Sequence, residues 1–312
     1  MWIIHNSISV HKSIAPLNRQ GQCYNVKTYD FTTLYTSIPH EQLKARISWV
    51  VKMAFTSSKK KFISVYRRTA RWTDTPKAKT LSLDCNSLIQ LIWWLIENIF
   101  VTFGDKCFRQ VIGIPMGTDC APFLANLFLY SYEYEWIDKQ RIQKKLGVLQ
   151  LYKNCCRYID DLFLLNNNNH MLKAMHDIYP KELVLVQDSF DGSSRPFLDL
   201  RINIDKHYIS TSIFDKRDAF NFPIVNFPTL TGNIPIKSSY GVFTCEIVRY
   251  ARACTHFADF EEKTLVLVKK LRSQYFIDTL LRHTWDKFYE AHFLLIQKYG
   301  SIILQFRNHF VI

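Results

Sequence analysis

The sequence lacks the patterns that mark secreted, zinc-binding and membrane-spanning chains. None of its eight cysteines forms a Cys-x-x-Cys pair or has a histidine at zinc-finger spacing, which favours reduced thiols in an intracellular protein. Residues 1–23 contain no basic segment followed by an apolar one, so no secretory signal is predicted. The most apolar stretch, Leu88–Val101, is shorter than the ~20 residues that cross a bilayer. It therefore predicts a buried helix.

Acidic residues are scarce relative to basic ones. The 312 residues include 40 Lys and Arg against 27 Asp and Glu, a formal net charge of +13. Such an excess favours a polyanionic partner, either nucleic acid or an anionic membrane. Hydrophobic residues make up 48% of the chain and charged residues 21%, which is enough for a packed core and excludes a disordered or fibrous chain. The length predicts one large domain or two ordinary ones.

The order of the hydrophobic patterns predicts an α+β chain in two domains. Strand patterns dominate the first part, notably in Tyr24–Phe31 and Tyr152–Leu165, and a β-hairpin is predicted over Ile99–Val111. Helical patterns dominate the last part of the chain. We therefore predict one domain at residues 1–215 and a helical one at residues 216–312.

A basic segment is predicted between residues 57 and 112. Its first half interleaves the aromatic residues Tyr66 and Trp72 with cations. The cations that are candidates for nucleic-acid binding are Lys59, Lys60, Lys61, Arg67, Arg68 and Arg71. Such a mixture can contact phosphates and stack on bases, but a solvated loop extended by charge repulsion explains the same composition equally well. The lysine run also favours a nuclear location, although it is a weak import signal by itself.

The doublet Asp160-Asp161 is the sharpest local feature of the chain. Apolar and aromatic residues flank it, and two adjacent carboxylates are costly to bury without partners. A hairpin turn between two core strands would instead project their oxygens from a rigid sheet edge. Hard cations such as Mg²⁺ prefer carboxylate oxygens, and Asp30, at the end of a predicted strand, is the natural third carboxylate of a two-metal site. An ordinary acidic turn is the simpler explanation of the doublet taken alone.

Three motifs in this order resemble those of reverse transcriptases. Tyr29–Tyr35 resembles the first palm motif, in which an Asp precedes an aromatic residue by five positions. Gly113–Pro122 resembles the second motif, a Pro-x-Gly followed by a small residue and Pro, and Tyr158–Asp161 matches the Tyr-x-Asp-Asp box. The similarity is greatest to Penelope-like retroelement enzymes and covers about residues 24–215.

The resemblance implies the fold of a right-hand polymerase and its metal site. The palm would be a mostly antiparallel sheet with helices behind it, accompanied by partial fingers and an α-helical thumb. Asp30, Asp160 and Asp161 would be the catalytic carboxylates. Asp30 and Asp160 would bridge two Mg²⁺ ions, for which Mn²⁺ is an alternative. The Phe31 carbonyl would be an added ligand, and Asp161 would support the site.

The resemblance also implies contacts with nucleotide and nucleic acid. The Tyr35 ring would lie beneath the sugar and collide with a 2′-hydroxyl, which selects deoxynucleotides. Three residues of the second motif would contact the incoming nucleotide: Pro115, Met116 and Gly117. Three cations of a thumb helix would face the duplex backbone: Lys269, Lys270 and Arg272. A solvated helix face is the alternative for these cations.

The expected function is therefore that of a retroelement RNA-directed DNA polymerase. It would transfer a nucleotide from a dNTP to the 3′-hydroxyl of a DNA or RNA primer on an RNA template, without a membrane or protein partner. Only residues 1–29 precede Asp30, so the fingers are expected to be incomplete, as in a truncated element, a domesticated element or part of a longer gene product. Two alternatives stay open: a catalytically silent remnant that binds RNA or DNA, and an unrelated cation-binding α+β protein whose motifs are coincidental.

Overall fold

The computed structural model describes residues 2–114, 116–167, 169–188, 194–222, 224 and 226–309. They form two compact units. The first unit contains residues 2–3 and 29–188, and the second contains the described residues of 4–28 and 189–312. The domain boundary predicted between residues 215 and 216 falls inside the second unit.

Strands occur in consecutive groups separated by helices, and the fold is mixed α+β with antiparallel sheets, as predicted. The strands are β1 (Val26–Phe31), β2 (Phe62–Val65), β3 (Ala70–Thr73), β4 (Leu81–Leu83), β5 (Phe100–Phe103), β6 (Lys106–Arg109), β7 (Cys155–Tyr158), β8 (Asp161–Leu165), β9 (Leu185–Gln187), β10 (Ser194–Phe197), β11 (Leu200–Asp205) and β12 (Tyr208–Ile213). The helices are α1 (Val10–Gln20), α2 (Leu34–Ser37), α3 (His40–Ser58), α4 (Cys85–Glu97), α5 (Ala121–Ile142), α6 (Leu146–Gln150), α7 (His170–Ile178), α8 (Ile236–Ser239), α9 (Gly241–Ala253), α10 (Phe257–Arg272), α11 (Asp278–Ala291), α12 (Phe293–Ile296) and α13 (Ile302–His309).

The first unit is built around a four-stranded sheet in the order β7-β8-β1-β9. Strands β7 and β8 form an antiparallel hairpin, and β1 pairs antiparallel with β9. Every residue of Leu162–Leu165 is buried, so β8 is a core strand rather than a half-exposed one. Phe31 and Leu164 of the sheet share one buried cluster with Leu43 of α3 and Phe128 of α5. Packing against this cluster therefore fixes the positions of the ends of β1 and β8.

Helices α3 and α5 lie between β1 and β7 in the sequence and contribute to the core of the first unit. Helix α3 begins directly after Pro39 and buries Leu43 and Ile47. Helix α5 begins at Ala121 with Pro122 in its first turn, where a missing N–H costs nothing. Its N-terminus follows directly on the second motif of the sequence.

The basic segment folds in a way that the sequence did not predict. Strands β2, β3 and β4 form a small antiparallel sheet, in which β2 lies in the middle. Ser64 of β2 is fully buried and exchanges hydrogen bonds with the hydroxyls of Thr73 and Ser82, at 3.1 and 2.8 Å. The segment is therefore an ordered sheet with its cations on the outside, not an extended loop.

Helix α4 and strands β5 and β6 follow the basic sheet. The prediction that α4 is a buried helix is wrong: Ile89 and Ile96 are buried, whereas Trp94 is 60% exposed. Within the described ranges, no helix is long and apolar enough to span a bilayer. Strands β5 and β6 form the predicted hairpin, with Gly104–Asp105 as its turn. All residues of both strands are exposed, and we call this element the apolar hairpin.

The second unit combines a three-stranded antiparallel sheet with the C-terminal helices. Its strands follow the chain in the order β10-β11-β12. Helices α9, α10 and α11 pack around large apolar side chains that are almost fully buried, as their amphipathic patterns predict. These side chains are Phe243, Ile247, Phe260, Trp285 and Phe288.

Candidate active site

The acidic doublet lies at the turn of a tight hairpin. Tyr158 pairs with Asp161 across β7 and β8, so that Ile159 and Asp160 form a two-residue turn. We call β7, β8 and this turn the acidic hairpin. Ile159 has a φ of 55°, which is a strained conformation for a β-branched residue. Strain of this kind persists only where the surrounding structure fixes it, and it concentrates at functional sites.

Asp30 lies on the strand that neighbours the acidic hairpin. It is the penultimate residue of β1, and the next backbone amide, that of Phe31, donates a hydrogen bond to the Asp160 carbonyl at 3.3 Å. On the other side, Asp30 pairs with Val186 of β9. The structure thus brings the backbone of Asp30 and Phe31 next to Asp160. Asp30, Asp160 and Asp161 are all half-buried, which leaves their carboxylates partly accessible.

Tyr35 lies close enough to the acidic hairpin for its hydroxyl to interact electrostatically with Asp160. Burial raises the pKa of the Tyr35 hydroxyl, and electrostatic interaction with Asp160 raises it further. The Tyr35 carbonyl also accepts a hydrogen bond from the Ile114 amide at 2.7 Å, which ties the second motif to the first.

Gly113 allows the second motif to approach the backbone of Tyr35 this closely. Its φ is +83°, and a Cβ at this position would lie 2.4 Å from the Tyr35 carbonyl oxygen. No other residue type fits without moving one of the two segments. The sequence motif contains this glycine, but only the fold shows that the opposing group is the backbone of Tyr35.

The rest of the second motif forms an exposed turn before α5. Met116 is 75% exposed. Gly117 has a φ of +105°, where L side chains are strained, so a glycine suits this backbone conformation. Pro115, the third predicted nucleotide contact, lies outside the described residues.

The acidic residues of the site offer carboxylate oxygens, which are hard donors. Among the described residues, no group of three or more His, Cys, Asp or Glu side chains is arranged to hold a metal ion. The two strands nevertheless offer Asp30 and Asp160 from adjacent backbones, and carboxylates are the oxygen donors that Mg²⁺ takes. Since protein-bound Mg²⁺ commonly uses one or two carboxylates together with substrate phosphates, the residues fit such an ion.

A buried ion pair beneath the acidic hairpin was missed by sequence reasoning. Arg157 of β7 is 0% exposed and Glu133 of α5 is 2% exposed. The guanidinium Nε and Nη2 donate to the two Glu133 carboxylate oxygens at 2.5 and 3.1 Å. Burial acts to lower the pKa of Arg157, but the Glu133 carboxylate outweighs it and the net direction is upward. An arginine inside a strand of otherwise apolar residues was the available signal, but its partner is distant in sequence.

The predicted nucleic-acid-binding cations do not all belong to one region. Those of the first unit lie on or beside β2 and β3 and are exposed: Lys59, Lys60, Lys61, Arg67, Arg68 and Arg71. Lys60 forms an ion pair with Asp74 at 2.7 Å, and the Arg71 guanidinium lies 5.8 Å from the centre of the Tyr66 ring. The other three belong to α10 of the second unit: Lys269, Lys270 and Arg272. Of these, Arg272 forms an ion pair with Asp278 at 2.7 Å.

Comparison with known proteins rests on structure alone. No protein-family model and no curated protein matches the sequence. The structure is similar to that of telomerase from Candida albicans in complex with a fragment of telomeric RNA, with a TM-score of 0.56 and 12% sequence identity. That match covers 96% of this chain and 50% of the telomerase chain. Apo telomerase from Candida tropicalis gives a TM-score of 0.48 at 15% identity, covering 95% and 47% of the two chains.

These matches concern the fold. The chain spans about half the length of the telomerase chains, so its extent corresponds to part of such a protein. At 12% identity, the Candida albicans match supports a common architecture and not a common substrate. The chain therefore has an α+β fold similar to that of the Candida albicans telomerase structure.

Proposed function

We propose that the chain is an RNA-directed DNA polymerase, with a palm, partial fingers and a helical thumb, most similar to the enzymes of Penelope-like retroelements. The observation that carries the proposal is the juxtaposition of β1 and the acidic hairpin, where the Phe31 amide bonds the Asp160 carbonyl at 3.3 Å. Two sequence motifs that are far apart in the chain meet there. The telomerase-like architecture supports the same assignment.

Two Mg²⁺ ions would be held by Asp30, Asp160 and the Phe31 carbonyl, with Asp161 contributing negative charge nearby. Such ions activate an attacking 3′-hydroxyl and stabilise a leaving pyrophosphate. The chain itself positions the primer end and the dNTP, and correct positioning is a large part of catalysis in phosphoryl transfer. Mn²⁺ would serve as an alternative ion.

Tyr35 and the second motif would select and hold the nucleotide. Burial and the charge of Asp160 raise the pKa of the Tyr35 hydroxyl, and the Tyr35 ring would lie against the sugar. A ring at that place collides with a 2′-hydroxyl, which favours dNTPs. Met116 and Gly117 are exposed in the neighbouring turn, where a backbone without Cβ allows close approach of a nucleotide.

The RNA template and the primer would be bound by the exposed cations. In the first unit, the basic sheet presents lysines and arginines beside Tyr66 and Trp72, a combination that suits phosphates and unstacked bases. In the second unit, α10 presents Lys269 and Arg272 on its exposed surface. A nuclear location is part of the proposal, because a polymerase of a retroelement meets its DNA target there.

Primer extension tests the proposal. The purified full chain is given an RNA template with an annealed DNA primer, dNTPs and Mg²⁺. We expect Asp160→Asn and Asp30→Asn to lower the extension rate by about 10²-fold or more, because transition-state charge loses its stabilisation. Asp105→Asn is the matched control, since Asp105 is the second turn residue of the apolar hairpin and we expect full activity. Equal activity of Asp160→Asn and wild type would contradict the proposal.

A catalytically silent nucleic-acid-binding remnant is the second candidate function. It is favoured by the lack, among the described residues, of a preformed three-ligand metal cluster. It predicts no extension by the wild type with Mg²⁺ or Mn²⁺, together with RNA binding that weakens steeply with salt. Replacing Lys59, Lys60 and Lys61 by Gln should then reduce the salt dependence by about one unit of slope for each lost phosphate contact.

A further inference from the structure

The Glu133 carboxylate lies at the centre of a buried network that reaches both acidic elements of the proposed site. Glu133 belongs to α5, which carries no predicted catalytic residue. Its two oxygens accept hydrogen bonds from Arg157, and one of them also accepts from the Tyr179 hydroxyl at 3.1 Å. The network therefore has two branches.

The first branch runs to the turn of the acidic hairpin. Besides its two bonds to Glu133, the Arg157 guanidinium donates through Nη1 to the Ile159 carbonyl at 2.9 Å and to the Asn126 side-chain oxygen at 2.8 Å. Ile159 is the strained residue of the turn, directly before Asp160. Arg157 thus connects α5 to the peptide that precedes the doublet.

The second branch runs to β1. The Tyr179 ring packs edge-on against Phe31, with ring centroids 4.8 Å apart and an interplanar angle of 86°. Because the Tyr179 hydroxyl donates to Glu133, the orientation of this ring is tied to the same carboxylate. Tyr179 is almost fully buried, so that bond is not exposed to competing water.

We propose that Arg157 and Glu133 are positioning residues, a buried ion pair that fixes the acidic turn and the Asp30 end of β1 to one helix. Neither side chain touches substrate; both act through the backbone of Ile159 and through the rings of Tyr179 and Phe31. An ion pair this deeply buried is costly to desolvate, so its role is better explained by the geometry it imposes than by a net gain in stability. The inference rests on the proposed function for its catalytic readout only.

The test uses hydrogen–deuterium exchange on the full chain, which needs no activity. Arg157→Lys keeps the charge opposite Glu133 but loses the fork that reaches the Ile159 carbonyl. We expect the amides of residues 158–161 to exchange about tenfold faster or more, the scale set by losing one buried hydrogen-bond partner. Tyr179→Phe removes only the hydroxyl, and we expect faster exchange in residues 29–33 with 158–161 unchanged.

A double variant separates the proposed effect on the turn from a general failure to fold. Arg157→Met with Glu133→Leu removes both charges at once, which buried pairs tolerate far better than the loss of one partner. We expect a cooperative melting transition together with faster exchange in both segments. The matched control is Lys44→Met with Glu97→Leu, which removes another ion pair, at 2.8 Å between α3 and α4. It should leave both segments unchanged.

If the wild type extends a primer, its kcat and its KM for dNTP provide a second measurement. Since the pair does not touch the nucleotide, Arg157→Lys should lower kcat about tenfold or more, while the KM for dNTP stays within about twofold. A wild type without extension removes the proposed function, and the exchange data still decide the inference. Unchanged exchange at residues 158–161 in Arg157→Lys and in the double variant overturns it. So does an equal effect of the Lys44 control.

Discussion

The acidic hairpin and the apolar hairpin have the same local geometry and opposite surroundings. Each is antiparallel with a two-residue turn, Ile159–Asp160 in one and Gly104–Asp105 in the other. The first turn residue has positive φ in both, 55° at Ile159 and 62° at Gly104. Glycine adopts that conformation without cost, whereas isoleucine does not. The exposed hairpin uses the residue that its turn requires, and the buried one does not.

The two hairpins differ in what determines the conformation of their turns. Nothing lies within 4 Å of a Cβ placed on Gly104, and all residues of β5 and β6 are exposed, so local chemistry must define that turn. The acidic turn is instead defined from outside, through Arg157 and the core strands on which it stands. Tertiary structure can therefore keep a strained residue next to Asp160, and such over-determination is typical of functional sites.

Truncating one phenylalanine in each hairpin should produce the largest contrast. Phe163 of β8 is 0% exposed, and Phe163→Ala should lower the free energy of unfolding of the first unit by about 3–5 kcal/mol. Phe103 of β5 is 82% exposed, and Phe103→Ala should change it by no more than about 0.5 kcal/mol. Urea denaturation followed by tryptophan fluorescence measures both. Similar losses for the two variants would mean that the apolar hairpin is covered in solution.

The contrast also marks the limit of what the sequence could predict. Two short strand-like segments on either side of a Gly-containing turn were sufficient for the apolar hairpin, and an apolar run interrupted by two carboxylates was sufficient for the acidic one. The starts of α3 and α5 also have a local signal, because Pro39 directly precedes α3 and Pro122 lies in the first turn of α5. These features are local, so a single stretch of chain contains the signal.

The unpredicted features depend on partners that are distant in the chain. From the sequence alone, Arg157 is a charged residue in an apolar strand, because its partner Glu133 lies in a distant helix. The positive φ of Ile159 is also unpredictable, since no residue propensity favours it for isoleucine. The small sheet of the basic segment was missed because its high charge resembles a solvated loop, while its pairing depends on hydroxyl groups such as that of Ser64. The exposure of α4 could not be read from its own apolar composition.

Substitutions at the first turn residue of each hairpin should change the free energy of unfolding by an intermediate amount, and by more in the apolar hairpin than in the acidic one. Gly104→Ala places a Cβ at φ 62°, which should destabilise the apolar hairpin by about 1–2 kcal/mol. Ile159→Gly relieves a similar strain but loses a side chain packed on the core and adds about 0.5–1 kcal/mol of unfolded-state entropy. We therefore expect its net change in the free energy of unfolding to stay within about 1 kcal/mol.

Thermal unfolding combined with hydrogen exchange of residues 100–109 and 158–161 measures these two effects. Faster exchange should be confined to the altered hairpin in each case. A stabilisation by Ile159→Gly well above about 1–2 kcal/mol would show that the strain is not compensated by packing, and that Arg157 contributes less to the turn than the geometry indicates.

The smallest expected effect is a change in the pKa of Tyr35 when the charge of Asp160 in the acidic turn is removed. Burial first, and then Asp160, raise the pKa of Tyr35 above its ordinary value of 10.0. The neutral phenol is therefore favoured in the folded state, and this contribution to stability is present below pH 10 and is lost as the pH rises through the folded pKa. Asp160→Asn removes the charge but not the burial, so the pKa of Tyr35 should fall while remaining above its ordinary value.

A titration of ¹³C-labelled tyrosine by NMR measures this shift, with Tyr35→Phe identifying the resonance. Asp105→Asn makes the same chemical change in the apolar hairpin, and it should leave the Tyr35 titration unchanged, because Asp105 does not contribute to the pKa of Tyr35. An unchanged titration in Asp160→Asn would separate Tyr35 from the doublet. Because it is independent of metal, nucleotide and activity, this measurement tests directly whether the first motif and the acidic hairpin share one electrostatic environment.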